Sequence, residues 1–168
     1  MSTHLHLIIG IGSPFGDDQV GWRVIDQLRQ MGLPSAIQLL SLDRPGPELI
    51  EQMQGGASVT LIDAVISEQH PVGCCLELDP DQLAQLDTCS SHGFGLSNTL
   101  ALAQQLDQLP TRLRIFGVSI RTPGMGDGVS EEINAAAHAL AQQLAEEYQT
   151  AIGMGGVGCL GSSSSSSS

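Results

Sequence analysis

Apolar residues recur along this chain in alternating rhythms, short continuous runs followed by stretches at helical spacing. Leu5 to Gly10 is a run that predicts a buried strand entering a turn. From Asp17 to about Gln30 the apolar positions Val20 or Gly21, Val24, Ile25 and Leu28 fall on one helical stripe, and an aspartate at its start can cap free N–H groups. Ala36 to Leu42 predicts a second strand, and Pro47 to Met53 a short helix closed by Gly55-Gly56. Ser58 to Val65 is nearly all apolar, as expected of a central parallel strand covered on both faces.

Downstream of the turn at Pro71-Val72-Gly73, Cys74 to Leu78 predicts a short fourth strand. Leu96 to Leu109 predicts a helix with Leu96, Leu100, Ala103 and Leu106 on one side, stopped by Pro110. Arg112 to Ser119 is the last strand. The final helix runs from Ser130, an N-cap followed by Glu131 and Glu132, to about Tyr148, with Ile133, Ala137, Leu140, Leu144 and Tyr148 inward. Strands alternating with helices predict an α/β layer sandwich on a mostly parallel sheet, without internal repeats.

From Gly153 the composition turns to glycine and then seven serines. Such a segment buries too little surface to offset its ordering entropy, so the expectation is one domain over 1–152 and a disordered Gly/Ser-rich tail over 153–168. At 168 residues and 41% apolar, the chain can bury a core of its own. Its net charge of −12 opposes nucleic acid and anionic membrane surfaces. No apolar run is long enough to span a bilayer, and the N-terminus has no basic region or cleavage site, so the expected location is cytoplasmic. Four cysteines, with Cys74 and Cys75 adjacent, do not make a disulfide framework and read as reduced core residues.

Three residues that could carry chemistry stand just past apolar segments, in glycine-flanked or turn-prone strings. They are Asp18 in Gly10-Ile11-Gly12-Ser13-Pro14-Phe15-Gly16-Asp17-Asp18, Asp63 in Leu61-Ile62-Asp63-Ala64, and His92 in Ser91-His92-Gly93-Phe94-Gly95. Ligands of open α/β sheets lie beyond the carboxyl ends of the strands, where Asp18 and Asp63 are expected. Two carboxylates and an imidazole suit nickel, zinc, manganese or iron better than copper(I). Asp17 and Asp18 also suit helix caps. Asp63 ends an apolar strand and must find a partner or a cleft. His4 and His6 lie on or before an edge-like segment, His70 is in a turn, and His138 is on a helix with no acidic ligand spacing.

Gly10-Ile11-Gly12 with Asp43 also allows a dinucleotide reading. Phe15 at the third glycine position and the negative charge of Asp17-Asp18 count against it. No Gly-x-Ser-x-Gly elbow or His-Glu-x-x-His string is present.

Taken in order, these strings resemble the hydrogenase maturation endopeptidases, across roughly residues 5 to 148. Gly10-Ile11-Gly12 with Asp17-Asp18 and Gly21 is similar to that family's opening loop and helix. Asp63-Ala64 with Pro71-Val72-Gly73 is similar to its second motif, and Ser91-His92-Gly93-Phe94-Gly95-Leu96 to its third. Phe116-Gly117-Val118 with Val129-Ser130 is similar to the closing strand and helix start. Ser13 stands where the family commonly has Asn, Gln19 replaces a frequent Gly, and the loop before Asp17 is one residue short.

The resemblance implies a three-layer sandwich with a twisted, mainly parallel five-stranded sheet between helices. It implies an endopeptidase that removes a C-terminal peptide from the nickel-loaded precursor of a nickel-iron hydrogenase large subunit. Asp18, Asp63 and His92 would contact a nickel supplied by that substrate, and no organic cofactor is implied. A non-catalytic metal-sensing or metal-handling module using the same three residues is the alternative. The chain gives no signal of an oligomeric state.

Overall fold

A computed structural model describes residues 6–54, 57–88, 95–121 and 128–157. The strands are β1 (His6–Gly12), β2 (Ile37–Asp43), β3 (Ser58–Ile66), β4 (Cys75–Leu78), β5 (Asp87–Thr88) and β6 (Arg112–Ile120). The helices are α1 (Val20–Met31), α2 (Glu48–Met53), α3 (Pro80–Ala84), α4 (Leu96–Gln105) and α5 (Glu131–Val157). Five strands run in the order β2-β1-β3-β6-β4, and β5 adds a short antiparallel pairing to β3. β1, β2, β3 and β6 are parallel, and β4 is antiparallel to β6. The architecture is the expected mainly parallel sheet between helices.

The two faces follow from the alternation of side chains along each strand. Ile8 of β1 faces α1 and α5 together with Ile62, Ala64, Phe116 and Val118. Leu7, Ile9 and Ile11 face the other way, with Leu61, Val65 and Ile115, onto α2, α3 and α4. Val24, Ile25 and Leu28 of α1 are fully buried, each worth about 1.5–3 kcal/mol of transfer free energy. α5 is pinned by Tyr148, whose hydroxyl hydrogen-bonds Thr60 on β3. Tyr148 also packs against the His6 ring at 4.6 Å. Burial, with Arg112 nearby, holds the His6 imidazole below its ordinary pKa.

Several boundaries differ from the sequence expectation, each for a local reason. The stretch from Asp17 opens as a 3₁₀ turn, Gly16–Gln19, before α1 begins at Val20. Gly16 sits at φ 54, a left-handed conformation that glycine adopts without penalty. α4 stops at Gln105 rather than Leu109, because Asp107 takes φ 59 and ends the helical path. α5 is carried past Tyr148 and Gly153 to Val157, beyond the domain boundary expected at 152. An interior glycine costs about 1 kcal/mol and need not end a helix. Residues 158–168 of the expected tail lie outside the described residues, as do Gly55-Gly56.

Two elements were not expected. α3 is capped by Asp79, which accepts from the Gln82 amide while the Gln82 side chain accepts from the Asp79 amide. Asp79-Pro80 with Gln82 is a capping-box signature that the sequence carries. With Leu83 as its only buried residue, α3 has no apolar stripe to announce it. β5, two residues long, pairs with β3.

Candidate active site

The site lies where the sheet changes direction. β1 leads through α1 to β2 on one side, whereas β3 and β6 lie on the other, so the crevice between the carboxyl ends of β1 and β3 is a topological switch point. Their pairing stops at Gly10 opposite Ile62. Beyond it, β6 still holds one edge of β3 up to Ile120, and β5 takes the other at Val65 and Ile66.

Asp63 stands at that parting, fully buried on the central strand. It shares its strand face with Leu61 and Val65, the face covered by α3 and α4. Its Oδ1 accepts the Ala64 amide at 2.8 Å. Directly across the β6 ladder lies Gly117, so no neighbouring side chain fills the position beside the carboxylate on that strand.

Asp18 is brought to the same end by the loop after β1. It is 2% exposed, and its Oδ2 accepts a hydrogen bond from the Ser13 hydroxyl. Ser13 and Asp18 are joined again by the Ser13 amide and the Asp18 carbonyl at 3.4 Å, closing the loop on itself. The position is fixed by backbone contact. A Cβ built on Gly12 would lie 2.7 Å from the Asp18 carbonyl oxygen, and one on Gly21 2.8 Å from that of Ile62. The strand-to-helix turn carrying Asp18 therefore lies against the segment carrying Asp63.

The space of a side chain at Gly10 is likewise taken by the Gly21 carbonyl and Ile25. These glycines let α1 approach the sheet, the role that a dinucleotide reading would have given them in part.

Asp17 behaves differently from its neighbour. Its Oδ1 accepts the Ser130 amide at 2.8 Å and its Oδ2 the Ser130 hydroxyl at 3.2 Å. Ser130 in turn receives the Ile133 amide at 3.4 Å as the cap of α5. Neither aspartate caps the 3₁₀ turn or α1 through its side chain. Asp17 ties the first turn of α5 to the loop, which the sequence reading of it as a local cap did not foresee. Asp17→Ala is expected to cost about 1–2 kcal/mol, read as a lower urea midpoint at unchanged slope. An unchanged midpoint would show that the tether carries no stability.

The loop after β2 forms the second lip. The Arg44 amide donates to the Gly12 carbonyl at 2.9 Å, and the Trp22 indole donates to the Leu42 carbonyl at 2.9 Å. The Arg44 guanidinium lies 5.6 Å from the centre of the exposed Phe15 ring and bonds Asp43 at 2.7 Å. That bond raises its pKa, and the charge of Asp18 adds to the effect. Ser13, Phe15 and Arg44 were missed as site residues. Their only sequence signal is membership of the loops that end β1 and β2.

His92 lies outside the described residues, which flank it at Thr88 and Gly95. Among the described residues no three His, Cys, Asp or Glu side chains form a cluster able to hold a metal. The remaining expected candidates fall where the sequence left them. His70 bonds Ser67 at 2.8 Å, His138 bonds Gln27 at 3.2 Å on the surface, and His4 is outside the described residues. Cys74 and Cys75 are free thiols, but they are half-buried at the edge strand rather than core residues as expected; burial raises the Cys75 pKa.

Comparison with known proteins agrees with this fold. The hydrogenase 2 maturation protease of Escherichia coli is 27% identical over 116 residues, 67% of this chain and 71% of that protein. Among solved structures, the hydrogenase maturating endopeptidase HybD from E. coli superposes with a TM-score of 0.74. It is 22% identical, covering 88% of this chain and 93% of that one. A hydrogenase 2 maturation peptidase from a Thaumarchaeota archaeon gives 0.64 at 28% identity, over 86% and 97%. Among the described residues, no helix is long and apolar enough to cross a membrane.

A model of the hydrogenase maturation protease family matches residues 22–147, from Trp22 at the start of α1 to the last turns before Tyr148. The chain belongs to the hydrogenase maturation protease family.

Proposed function

We propose that this peptidase removes a C-terminal peptide from the nickel-loaded precursor of a nickel-iron hydrogenase large subunit. The observation carrying the reading is the pair of buried carboxylates, Asp18 and Asp63, at the carboxyl ends of β1 and β3 on the switch-point crevice. A carboxylate is costly to bury, and two at one end of the sheet suit a cation-binding or proton-transfer role.

His92 is the third member of the proposed set. Thr88 pairs with Val65, two residues past Asp63, and His92 follows four residues later. Four residues span at most about 14 Å, a length compatible with His92 joining the same set. Two carboxylates and an imidazole leave coordination positions open. Such a set binds a free ion weakly but can complete the sphere of a nickel held by substrate cysteines.

Hydrolysis needs an activated water, a stabilised oxyanion and a protonated leaving amine. A carboxylate of the pair can hold the water and take its proton, then return it to the amine nitrogen. The Ser13 hydroxyl, bonded to Asp18, orients that carboxylate. The nickel belongs to the substrate, no organic cofactor is required, and the reaction takes place in the cytoplasm, where the precursor is made.

The test is mass spectrometry of a cognate large-subunit precursor incubated with the protein. A C-terminal peptide is expected to leave the nickel-loaded form only. An intact loaded precursor would sink the proteolytic reading, and equal cutting of the nickel-free form would sink nickel recognition.

A further inference from the structure

β4 is an edge strand, and among the described residues nothing pairs with its outer side. In an antiparallel ladder alternate residues turn both N–H and C=O toward the partner. The phase is set by the Ser119 amide, which donates to the Cys74 carbonyl at 2.9 Å. With Leu76 opposite Gly117 and Leu78 opposite Ile115, the even-numbered residues bond inward to β6. Cys75 and Glu77 therefore direct their N–H and C=O groups outward.

A cleft of about 790 Å³ follows this edge, lined by Ile66 and Ser67 from β3 and its exit, Leu76 and Leu78 of β4, and Gln85 and Leu86 after α3. Its lining sets Leu76 and Leu78 among polar side chains, with Glu68 and Glu77 as its acids. Arg114, beneath Glu77, is held by Glu77 at 2.8 Å and by Glu147 at 2.8 Å. Glu68 on the rim is exposed, in a chain of net charge −12.

The cleft lies near the candidate active site. It begins at Ile66, three residues along β3 from Asp63, or about 10 Å. A strand added to β4 would lie three strand spacings from β3, about 14 Å, which is about four extended residues.

From this geometry we propose that an extended segment of the protein substrate adds to β4 as a further strand. It pairs with the outward groups of Cys75 and Glu77 and seats alternate apolar side chains on Leu76 and Leu78. A basic side chain faces Glu68, and the scissile bond lies about four residues away at Asp63. The inference rests on the proteolytic reading above and adds where the substrate is gripped.

Glu77→Pro tests it, because proline removes an outward donor and spares the β6 ladder, as edge strands tolerate. Glu77→Thr removes the same carboxylate but keeps the donor, and so gives the baseline for the loss of the Arg114 ion pair. With the full chain and nickel-loaded precursor, KM for Glu77→Pro is expected about tenfold above that of Glu77→Thr, with similar kcat. Equal KM values for the two folded variants would overturn the proposal.

Hydrogen exchange of the wild-type chain reads the same contact without any variant. The Cys75 and Glu77 amides are expected to slow at least about tenfold when nickel-loaded precursor is added. Unchanged exchange overturns the proposal, as does slowing that tracks protein concentration without precursor, which assigns the edge to a second copy. Wild-type cleavage is read first. Its absence sinks the proteolytic reading and this inference together, whereas cleavage without protection sinks this inference alone.

Discussion

Asp63→Asn is expected to lower kcat/KM for precursor processing by about 100-fold to 10,000-fold, the span of positioned acid–base catalysis, while the thermal midpoint stays level or rises. The change is isosteric and keeps an oxygen to accept the Ala64 amide, so the strand has no reason to shift. It removes a negative charge that is costly to bury, at nearly unchanged side-chain volume. Activity and stability should therefore part company. Calorimetry and the mass assay on the same preparation decide the matter. Processing within tenfold of wild type would take Asp63 out of the mechanism, and a collapse of the midpoint would make it a structural residue instead.

Gly10→Ala is expected to do the reverse and damage the fold first. The added Cβ would lie 2.2 Å from the Gly21 carbonyl oxygen, against backbone that cannot rotate away. Relief requires α1 to lift from β1, and α1 carries Val24, Ile25 and Leu28 into the core. A loss of about 3 kcal/mol or more follows, a fall of roughly 10 °C for a domain of this size. Processing falls with it, since Gly21, which meets Gly10, also lies against the Ile62 carbonyl next to Asp63. Gly128→Ala is the matched control: nothing among the described residues lies within 4 Å of its Cβ position, so its effect should stay within about 0.5 kcal/mol. Equal midpoints for Gly10→Ala and wild type would show that the close approach is not required.

Much of the fold was legible because burial imposes period. Val59, Leu61 and Val65 alternate with Thr60, Ile62 and Ala64 on the doubly covered β3, and Val24, Ile25 and Leu28 repeat on α1. The same logic left α3 and β5 unread. One buried leucine makes no period, and two residues make no strand without β3 beside them. The capping box at Asp79 was the available signal, and it is independent of hydrophobic pattern.

At the site, Asp18 and Asp63 could be picked out singly, since Asp63 interrupts an apolar strand and Asp18 stands in the turn-prone string that follows one. The partners that give them meaning could not. Ser13 reaches Asp18 across a folded loop, Arg44 arrives from the end of β2, and Asp17, which looks like a helix cap, instead holds Ser130 at a separation of 113 residues. Hydrogen bonds of that range have no sequence period to betray them.

The sequence by itself determined the alternation of strands and helices, the two acidic residues at strand ends and the acidic balance of the chain, because these follow from local pattern and composition. The tertiary structure alone decided that the ends of β1 and β3 part, that Gly10 and Gly21 are contact points of strand and helix, and that β4 lies at the end of the strand order. Those facts depend on which strands become neighbours, and neighbourhood is set by packing the whole chain at once.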